Sequence, residues 1–180
     1  MKTYSRLPVS FSHGQGSHLY DIYGRQYLDG LCGISVTNLG HAHPAVTHAI
    51  KKQAESLLHT SNLYEIATQE LLAAQLADIA DMDAVFFANS GAEANETAIK
   101  VARMHGYQRG LRKPKIIVLE GAFHGRTLAT LSATDGEKMQ EGFAPLVPGF
   151  IRAKKNDFAE IIQIYRAHPD VAAILVEPIQ

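Results

Sequence analysis

The residues that most clearly suggest chemistry follow a short apolar run near the middle of the chain. Residues 85–88 are apolar and predict a strand buried on both faces. Ser90 and Glu93 have the S-x-x-E spacing of a capping box, which predicts a helix that begins near Gly91. The first turn of a helix favours an anion, and glycine lets one approach closely. We therefore interpret residues 89–93 as a phosphate cradle.

The cradle does not resemble a nucleotide-triphosphate loop, because it lacks the lysine and Ser/Thr pair of a Walker A motif. A single phosphate group fits its residues better. The alternative is that the capping box only starts the helix of an ordinary strand–helix unit.

Two further polar clusters follow predicted strands. Residues 123–127 come after an apolar run at 115–119, and Glu177 comes after another at 171–176. Alternating helices and buried strands after residue 66 predict a parallel α/β sheet. Because ligands bind outside the carboxyl ends of such strands, we expect the three polar clusters to converge at one site.

Two side chains of the second cluster suggest what the site binds. Phe123 could cover the face of a flat ring, and Arg126 could hold a carboxylate through two parallel hydrogen bonds. The alternatives are that Phe123 fills the core and that Arg126 forms a surface salt bridge. Together with the cradle, these residues indicate a phosphorylated aromatic cofactor that acts on an amino acid.

The remaining elements follow from periodicity and turn residues. We divide the chain into an N-terminal segment, residues 1–65, with a β-hairpin and a helix, and the first part of a larger domain, residues 66–180. In the N-terminal segment we predict a hairpin at 18–29 that turns near Gly24 and a helix that starts at Pro44. In the larger domain we predict a helix at 67–80 with an apolar packing face and further helices at 91–107, 127–133 and 158–167. Asn156 and Asp157 precede the last helix, and residues 142–149 are predicted to form a loop.

Composition limits the kind of protein. The chain has 180 residues, 46% of them hydrophobic, and a formal net charge of -1, so nucleic acid and anionic membranes are poor partners. It shows no signal-peptide pattern and no apolar run long enough to span a bilayer, which predicts a cytoplasmic location. Cys32 is the one cysteine and predicts a small buried thiol. We interpret His41 and His43 as loop-capping residues rather than a metal site.

Four motifs resemble those of the class III aminotransferases, which are pyridoxal-phosphate enzymes of fold type I. They are residues 33–44, 89–96, 123–127 and 177–180, and they occur in the order typical of that family. The resemblance implies an α/β fold with an N-terminal β and helical segment. A mainly parallel sheet flanked by helices, present only in its first part, would follow that segment.

The resemblance also implies roles for individual residues. Those that it places at the cofactor, pyridoxal 5'-phosphate, are Ser90, Gly91, Ala92, Phe123, His124 and Glu177. The backbone of Gly91 and Ala92 would bind the phosphate, and Phe123 would stack on the pyridine ring. Arg126 would bind the α-carboxylate of the amino acid or of 2-oxoglutarate.

Residue 34 bears on the amino donor. Ornithine aminotransferases carry a tyrosine where this chain has Ile34, so the resemblance implies an N-acylated ornithine, such as N-acetylornithine of arginine biosynthesis, as donor to 2-oxoglutarate. Donors left open are succinylornithine, 4-aminobutyrate and ornithine. The residues are also compatible with a non-catalytic folding or dimerisation module, and with a phosphate-binding protein unrelated to pyridoxal chemistry.

The family's Schiff-base lysine lies well beyond the motif at 177–180, and none of the lysines in this chain matches it. The aspartate that protonates the pyridine nitrogen lies beyond the motif as well. We therefore expect an N-terminal fragment that is inactive alone, and a homodimer for the full-length protein.

Overall fold

A computed structural model describes residues 4–180. The chain divides into two compact units, Met1–Glu70 and Leu71–Gln180. The functional division at residues 65 and 66 stays a prediction.

The first unit contains a small antiparallel sheet with strand order β1-β2-β3, made of β1 (Phe11–Gln15), β2 (His18–Asp21) and β3 (Gln26–Leu28). The predicted hairpin is confirmed: β2 pairs with β3, and Gly24 lies in the turn with φ 79°. The buried Asp21 carboxylate accepts hydrogen bonds from Tyr23 N, Arg25 N, Arg25 Nε and Tyr27 OH. Burial raises the pKa of Asp21, but the bonds from Arg25, Tyr23 and Tyr27 outweigh it and lower the pKa to about 2.

Two helices complete the described part of this unit. α1 (Cys32–Ser35) is a single turn in which Cys32, Gly33, Ile34 and Ser35 all have positive φ, between 52° and 63°. Cys32 is half-buried, so the predicted buried thiol is only partly realised. α2 (Pro44–Ser56) begins at Pro44 as predicted, since the missing N–H of proline is not needed in the first turn.

A parallel three-stranded sheet forms the centre of the second unit. β4 (Lys115–Leu119) lies between β5 (Phe150–Ala153) and β6 (Val171–Leu175), with strand order β5-β4-β6. The strands predicted at 115–119 and 171–176 and the parallel pairing are confirmed. β5 was not predicted, because Arg152 interrupts its apolar pattern. In the structure, the Arg152 guanidinium donates to the carbonyls of Ala133 and Thr134.

Helices cover both faces of this sheet. Ile116 and Val118 pack with Ile99 and Ala133 on one face, while Ile117 packs toward Ile161 and neighbouring residues on the other. α4 (Gly91–Gln108) and α5 (Leu128–Ala133) lie on the first face, and α7 (Phe158–Ala167) lies on the second. The other helices are α6 (Glu137–Gln140) and α3 (Ala67–Ala80), which runs across the boundary between the two units. All but the short α6 were predicted. No helix within residues 4–180 has both the length and the apolar character needed to cross a membrane.

Two predictions about this unit are wrong. Residues 85–88 do not form a strand, and within residues 4–180 no neighbouring strand pairs with them. Phe86 is 72% exposed rather than buried. The apolar face of α3, including Leu71 and Ile79, is also exposed, so no packing covers it in the described part of the chain.

A substitution at Gly106 tests how closely α4 packs against the residues around it. A Cβ at Gly106 would lie 2.5 Å from Pro114 Cβ and 3.0 Å from Ala172 Cβ. We expect Gly106→Ala to lower the free energy of unfolding by about 1 kcal/mol, because overpacking outweighs the gain in helix propensity. Urea unfolding measures this change.

Gly91→Ala is the matched control, since it adds the same methyl group to the same helix where nothing lies within 4 Å. We expect it to leave the free energy of unfolding unchanged or slightly raised. Equal destabilisation by the two substitutions would contradict the packing of α4 described above.

Candidate functional site

The cradle has the predicted capping box at the start of α4. Ser90 Oγ accepts from Glu93 N at 3.2 Å, and Glu93 Oε2 accepts from Asn89 N at 2.6 Å. Ser90 itself is extended, with φ -156° and ψ 161°, as expected for an N-cap residue. The reciprocal pair fixes where the helix begins.

Two donors of this first turn remain available. The structure records no acceptor within residues 4–180 for the backbone N–H of Gly91 or of Ala92. A Cβ on Gly91 would meet no atom within 4 Å, so no other residue crowds Gly91 on that side. Two N–H groups at a helix N-terminus can bind an oxyanion such as a phosphate oxygen.

The second cluster, residues 123–127, forms a turn shortly after β4; we name it the Phe123 turn. Phe123 is 47% exposed, so it does not fill the core. The Arg126 side chain is exposed and forms no ion pair with any residue of the described chain. Both observations go against a purely structural role, and leave one exposed ring and one unpaired guanidinium on the same short turn.

The end of β6 meets the Phe123 turn. Glu177 Oε2 accepts from the backbone N–H of Phe123 at 3.0 Å and from Gln180 Nε2 at 3.0 Å. Gln180 Nε2 also donates to Gly121 O at 2.6 Å. The N–H of Phe123, followed by the Gln180 amide, lowers the pKa of Glu177 below its ordinary value. An ionised Glu177 therefore holds the Phe123 backbone at neutral pH.

His124 is the most buried side chain of the site, with 3% of its surface exposed. Burial lowers the pKa of His124, and the nearby charge of Arg152 lowers it too, while Glu177 opposes the shift. The imidazole is therefore neutral at pH 7. Its Nε2 atom is buried and has no hydrogen-bond partner in the described chain. A bound polar group could satisfy this atom.

The helix that the cradle begins is in direct contact with the Phe123 turn, through residues for which no individual role was predicted from the sequence. Asn95 Nδ2 of α4 donates to His124 O at 2.7 Å. Thr134 Oγ1 accepts from His124 N at 2.8 Å. Gly125 has φ 130°, and a Cβ there would lie 2.6 Å from Thr130 Oγ1 and 3.2 Å from Ala92 Cβ, so a larger residue would be strained and crowded at this position. Asn95 could have been noticed in the sequence as a polar residue inside a predicted helix. Nothing in the sequence around Thr134 indicates its role.

His41 and His43 lie in the first unit. His41 Nε2 is 2.6 Å from Asp29 Oδ2, which braces the loop before α2. His43 occupies the N-cap position of α2 but makes no side-chain capping bond, and its Nδ1 is buried without a partner in the described chain. Loop capping therefore describes His41 better than His43. Residues 4–180 contain no cluster of three or more potential metal ligands.

Comparison with known protein families decides the class of this chain. The sequence profile described as "Aminotransferase class-III" matches residues 1–180. The chain belongs to the class III aminotransferases.

Curated relatives narrow the resemblance. An acetylornithine aminotransferase of Bordetella parapertussis is 50% identical over 177 residues, which cover 98% of this chain and 45% of that protein. The acetylornithine aminotransferase of Methanocaldococcus jannaschii is 50% identical over 182 residues, covering 100% of this chain and 45% of that protein. The chain thus spans less than half the length of these class III relatives.

Solved structures show the same fold. The ornithine aminotransferase of Toxoplasma gondii matches with a TM-score of 0.94 at 33% identity, covering 100% of this chain and 43% of that chain. The acetylornithine aminotransferase of Elizabethkingia anophelis has a TM-score of 0.82 at 33% identity, covering 100% and 42%. A taurine:2-oxoglutarate aminotransferase from Bifidobacterium kashiwanohense, in complex with PLP and glutamate, has a TM-score of 0.86 at 26% identity, covering 98% and 45%.

The predicted family and fold are confirmed by these comparisons. Class III aminotransferases are transaminases that depend on pyridoxal phosphate, so the expected enzyme class and cofactor are confirmed at the level of the family. The chain's own residues fit this cofactor. Free N–H groups at a helix start suit its phosphate, an exposed ring suits its flat face, and a buried imidazole nitrogen lacks a partner within the described residues.

The bond between Glu177 and Phe123 gives a pH-dependent prediction. A carboxylate with a lowered pKa supports the turn fully above its ordinary pKa, about 4.3, and loses this effect as the pH falls through the lowered value. The amide chemical shift of Phe123, followed by NMR, should therefore titrate with a midpoint below about 4.3.

Two variants serve as controls for this titration. Glu177→Gln keeps an acceptor oxygen but cannot titrate, so the Phe123 shift should become independent of pH. Glu93→Gln alters the other carboxylate that accepts a backbone bond nearby and should leave the titration in place. A Phe123 titration that persists in Glu177→Gln would contradict the assignment.

Proposed function

We propose that this chain is the N-terminal part of an acetylornithine aminotransferase, which transfers the δ-amino group of N-acetylornithine to 2-oxoglutarate in arginine biosynthesis. The observation that carries the proposal is that relatives of this name are 46% to 50% identical across essentially the whole chain. A cytoplasmic location and a homodimeric full-length protein belong to the same proposal.

The cradle and the Phe123 turn would hold the cofactor at its two ends. The N–H groups of Gly91 and Ala92, with Ser90 beside them, would bind the phosphate. Phe123 would lie against the pyridine ring with the exposed part of its side chain. When bound, pyridoxal phosphate supplies an electron sink for the amino acid, and the protein supplies orientation and electrostatics.

His124 and Glu177 would support the ring from the protein side. The neutral His124 imidazole would offer its unpartnered Nε2 to a polar group of the bound cofactor. Glu177 would act through the backbone of Phe123, which it holds by a hydrogen bond. Its carboxylate therefore fixes where the aromatic ring stands.

Arg126 would bind what the two substrates share. Both the amino donor and 2-oxoglutarate carry a carboxylate, and an unpaired guanidinium binds such a group through two parallel hydrogen bonds. The α-carboxylate of N-acetylornithine lies at the far end from the reacting δ-carbon, and 2-oxoglutarate also carries a carboxylate at the far end from its keto carbon. One residue can thus serve both half-reactions. The positive charge of this guanidinium also favours anionic substrates over neutral amines.

Ornithine itself is the second candidate donor, because an ornithine aminotransferase shares this fold closely. Ile34, in place of the tyrosine of ornithine aminotransferases, supports the acylated donor. The deciding experiment compares the activity of the full-length protein on N-acetylornithine, N-succinylornithine, ornithine and 4-aminobutyrate. We expect the highest kcat/KM for N-acetylornithine, and a higher value for any other donor would overturn the substrate assignment.

Replacement of Arg126 tests the carboxylate role. Arg126→Ala in the full-length protein should lower kcat/KM by about 10- to 100-fold for both the amino donor and 2-oxoglutarate, since charged hydrogen bonds contribute about 1.5–3 kcal/mol. The kcat/KM of Arg126→Lys should lie between those of the wild type and Arg126→Ala, because lysine keeps the charge and loses the planar guanidinium. Steady-state kinetics with each substrate varied in turn measure these effects.

The matched control is Arg112→Ala, which removes an exposed arginine from the loop before β4. It should leave both kcat/KM values unchanged. The visible absorption of bound cofactor should be the same in all four proteins. A loss confined to one of the two substrates would contradict a shared carboxylate site.

The proposal also predicts how residues 1–180 behave alone. Without the Schiff-base lysine of the family, this chain should bind pyridoxal phosphate weakly and should not turn over N-acetylornithine. An absorbance titration with pyridoxal phosphate and a transamination assay, each run beside the full-length protein, measure both properties. Turnover by residues 1–180 at a rate near that of the full-length protein would contradict the prediction.

A further inference from the structure

Both backbone polar groups of His124, in the Phe123 turn, are held by side chains. The N–H of His124 donates to Thr134 Oγ1 at 2.8 Å, and the carbonyl of His124 accepts from Asn95 Nδ2 at 2.7 Å. The turn lies outside the sheet, so no strand partner is available to its backbone within the described residues. Since buried backbone groups must find hydrogen-bond partners, these two bonds help to fix the conformation of the turn.

Asn95 is an unexpected residue for its position in α4. It lies inside the first turns of an 18-residue helix, where asparagine is less favourable than alanine by a few tenths of a kcal/mol. Its side chain is partly buried and points its amide at another segment, 29 residues further along the chain. The residue therefore contributes through this long-range bond rather than through the helix.

The bond connects the two parts of the proposed cofactor site. Gly91 and Ala92, which carry the free N–H groups, lie in the same helix one turn before Asn95. Phe123 directly precedes His124, whose carbonyl accepts from Asn95. Gly125, on the other side, approaches Ala92 so closely that a Cβ there would lie 3.2 Å from Ala92 Cβ.

We propose that Asn95 is a positioning residue that sets the spacing between the phosphate cradle and the ring-covering Phe123. The inference rests on the proposed cofactor site and assigns to Asn95 a role that does not involve contact with the cofactor. A rigid molecule with a phosphate at one end and a ring at the other requires this spacing to be fixed before it binds. Asn95 supplies a connection to the backbone of the turn, beside the side-chain bond from Thr127 to Glu96 of the same helix.

The test uses the full-length protein and compares Asn95→Ala with Asn95→Asp. Alanine removes the donor and improves the helix, while aspartate keeps the shape and turns an oxygen toward the His124 carbonyl. A negative charge near a helix N-terminus also favours the helix. Neither substitution should therefore lower the thermal midpoint through α4 itself. Lys100→Ala, at an exposed position of the same helix, is the matched control.

Two readouts are measured. Hydrogen exchange of the peptide covering residues 121–127 is followed in the cofactor-free protein, and the Kd for pyridoxal phosphate is measured by absorbance. We expect exchange to be faster by about tenfold and Kd to rise by about tenfold in Asn95→Ala, with larger changes in Asn95→Asp. Lys100→Ala should match the wild type. Exchange in the cofactor-free protein is insensitive to repulsion between Asp and phosphate.

The outcomes distinguish a failure of the role inferred for Asn95 from a failure of the proposed function. A wild-type protein that binds no pyridoxal phosphate would overturn the proposed function and this inference with it. A wild-type protein that binds the cofactor, with both Asn95 variants matching it in exchange and Kd, would overturn the inference alone. Faster exchange spread over the whole chain would show general destabilisation and would also overturn it.

Discussion

The backbone of the Phe123 turn has no strand beside it in the described chain, and the hydrogen bonds to its Phe123 N–H, His124 N–H and His124 C=O come from side chains. Glu177, Thr134 and Asn95 provide them, from the segment after β6, the end of α5 and the start of α4 respectively. Each of these residues is distant from the turn in sequence. The geometry of the candidate site therefore depends on the second unit being folded as a whole, because no local segment can form the turn alone.

The central strand β4 makes this arrangement possible. Its three middle residues are almost completely buried, with helices packed on both faces. Arg152 of β5 reaches the carbonyls at the end of α5 and also forms an ion pair with Asp135 at 3.4 Å. The strand and the helix end are thus tied together at the place from which Thr134 contacts the turn. Packing and polar contacts support the same few residues.

Local signals allowed most of the second unit to be predicted. The S-x-x-E spacing located the start of α4, and apolar runs located β4 and β6, because each of these signals lies within a few neighbouring residues. The extended run at 85–88 failed as a strand because pairing depends on a neighbour that the local sequence cannot reveal. β5 was not predicted because Arg152 interrupts the apolar run that would indicate a strand.

The candidate site could be predicted only in part for the same reason. Phe123 and Arg126 were recognisable because their residue types suggest their own chemistry. Asn95 and Thr134 act on a backbone 29 and 10 residues away, and nothing in their immediate sequence indicates the partner. Family resemblance supplied roles for residues that touch a ligand, whereas the three-dimensional structure was needed to find those that hold other residues.

The Thr134 hydroxyl has a further consequence for motion. Thr134 Oγ1 lies 2.9 Å from Thr130 O and 3.1 Å from Gly125 O, yet a hydroxyl carries a single proton and donates fully to one carbonyl at a time. Rotation about the Cβ–Oγ1 bond exchanges these two partners. The N–H and C=O of His124 each have a side-chain partner of their own, whereas the Gly125 carbonyl shares its donor with the carbonyl of Thr130. The backbone beside the ring is therefore held by more hydrogen bonds than the backbone beside Arg126.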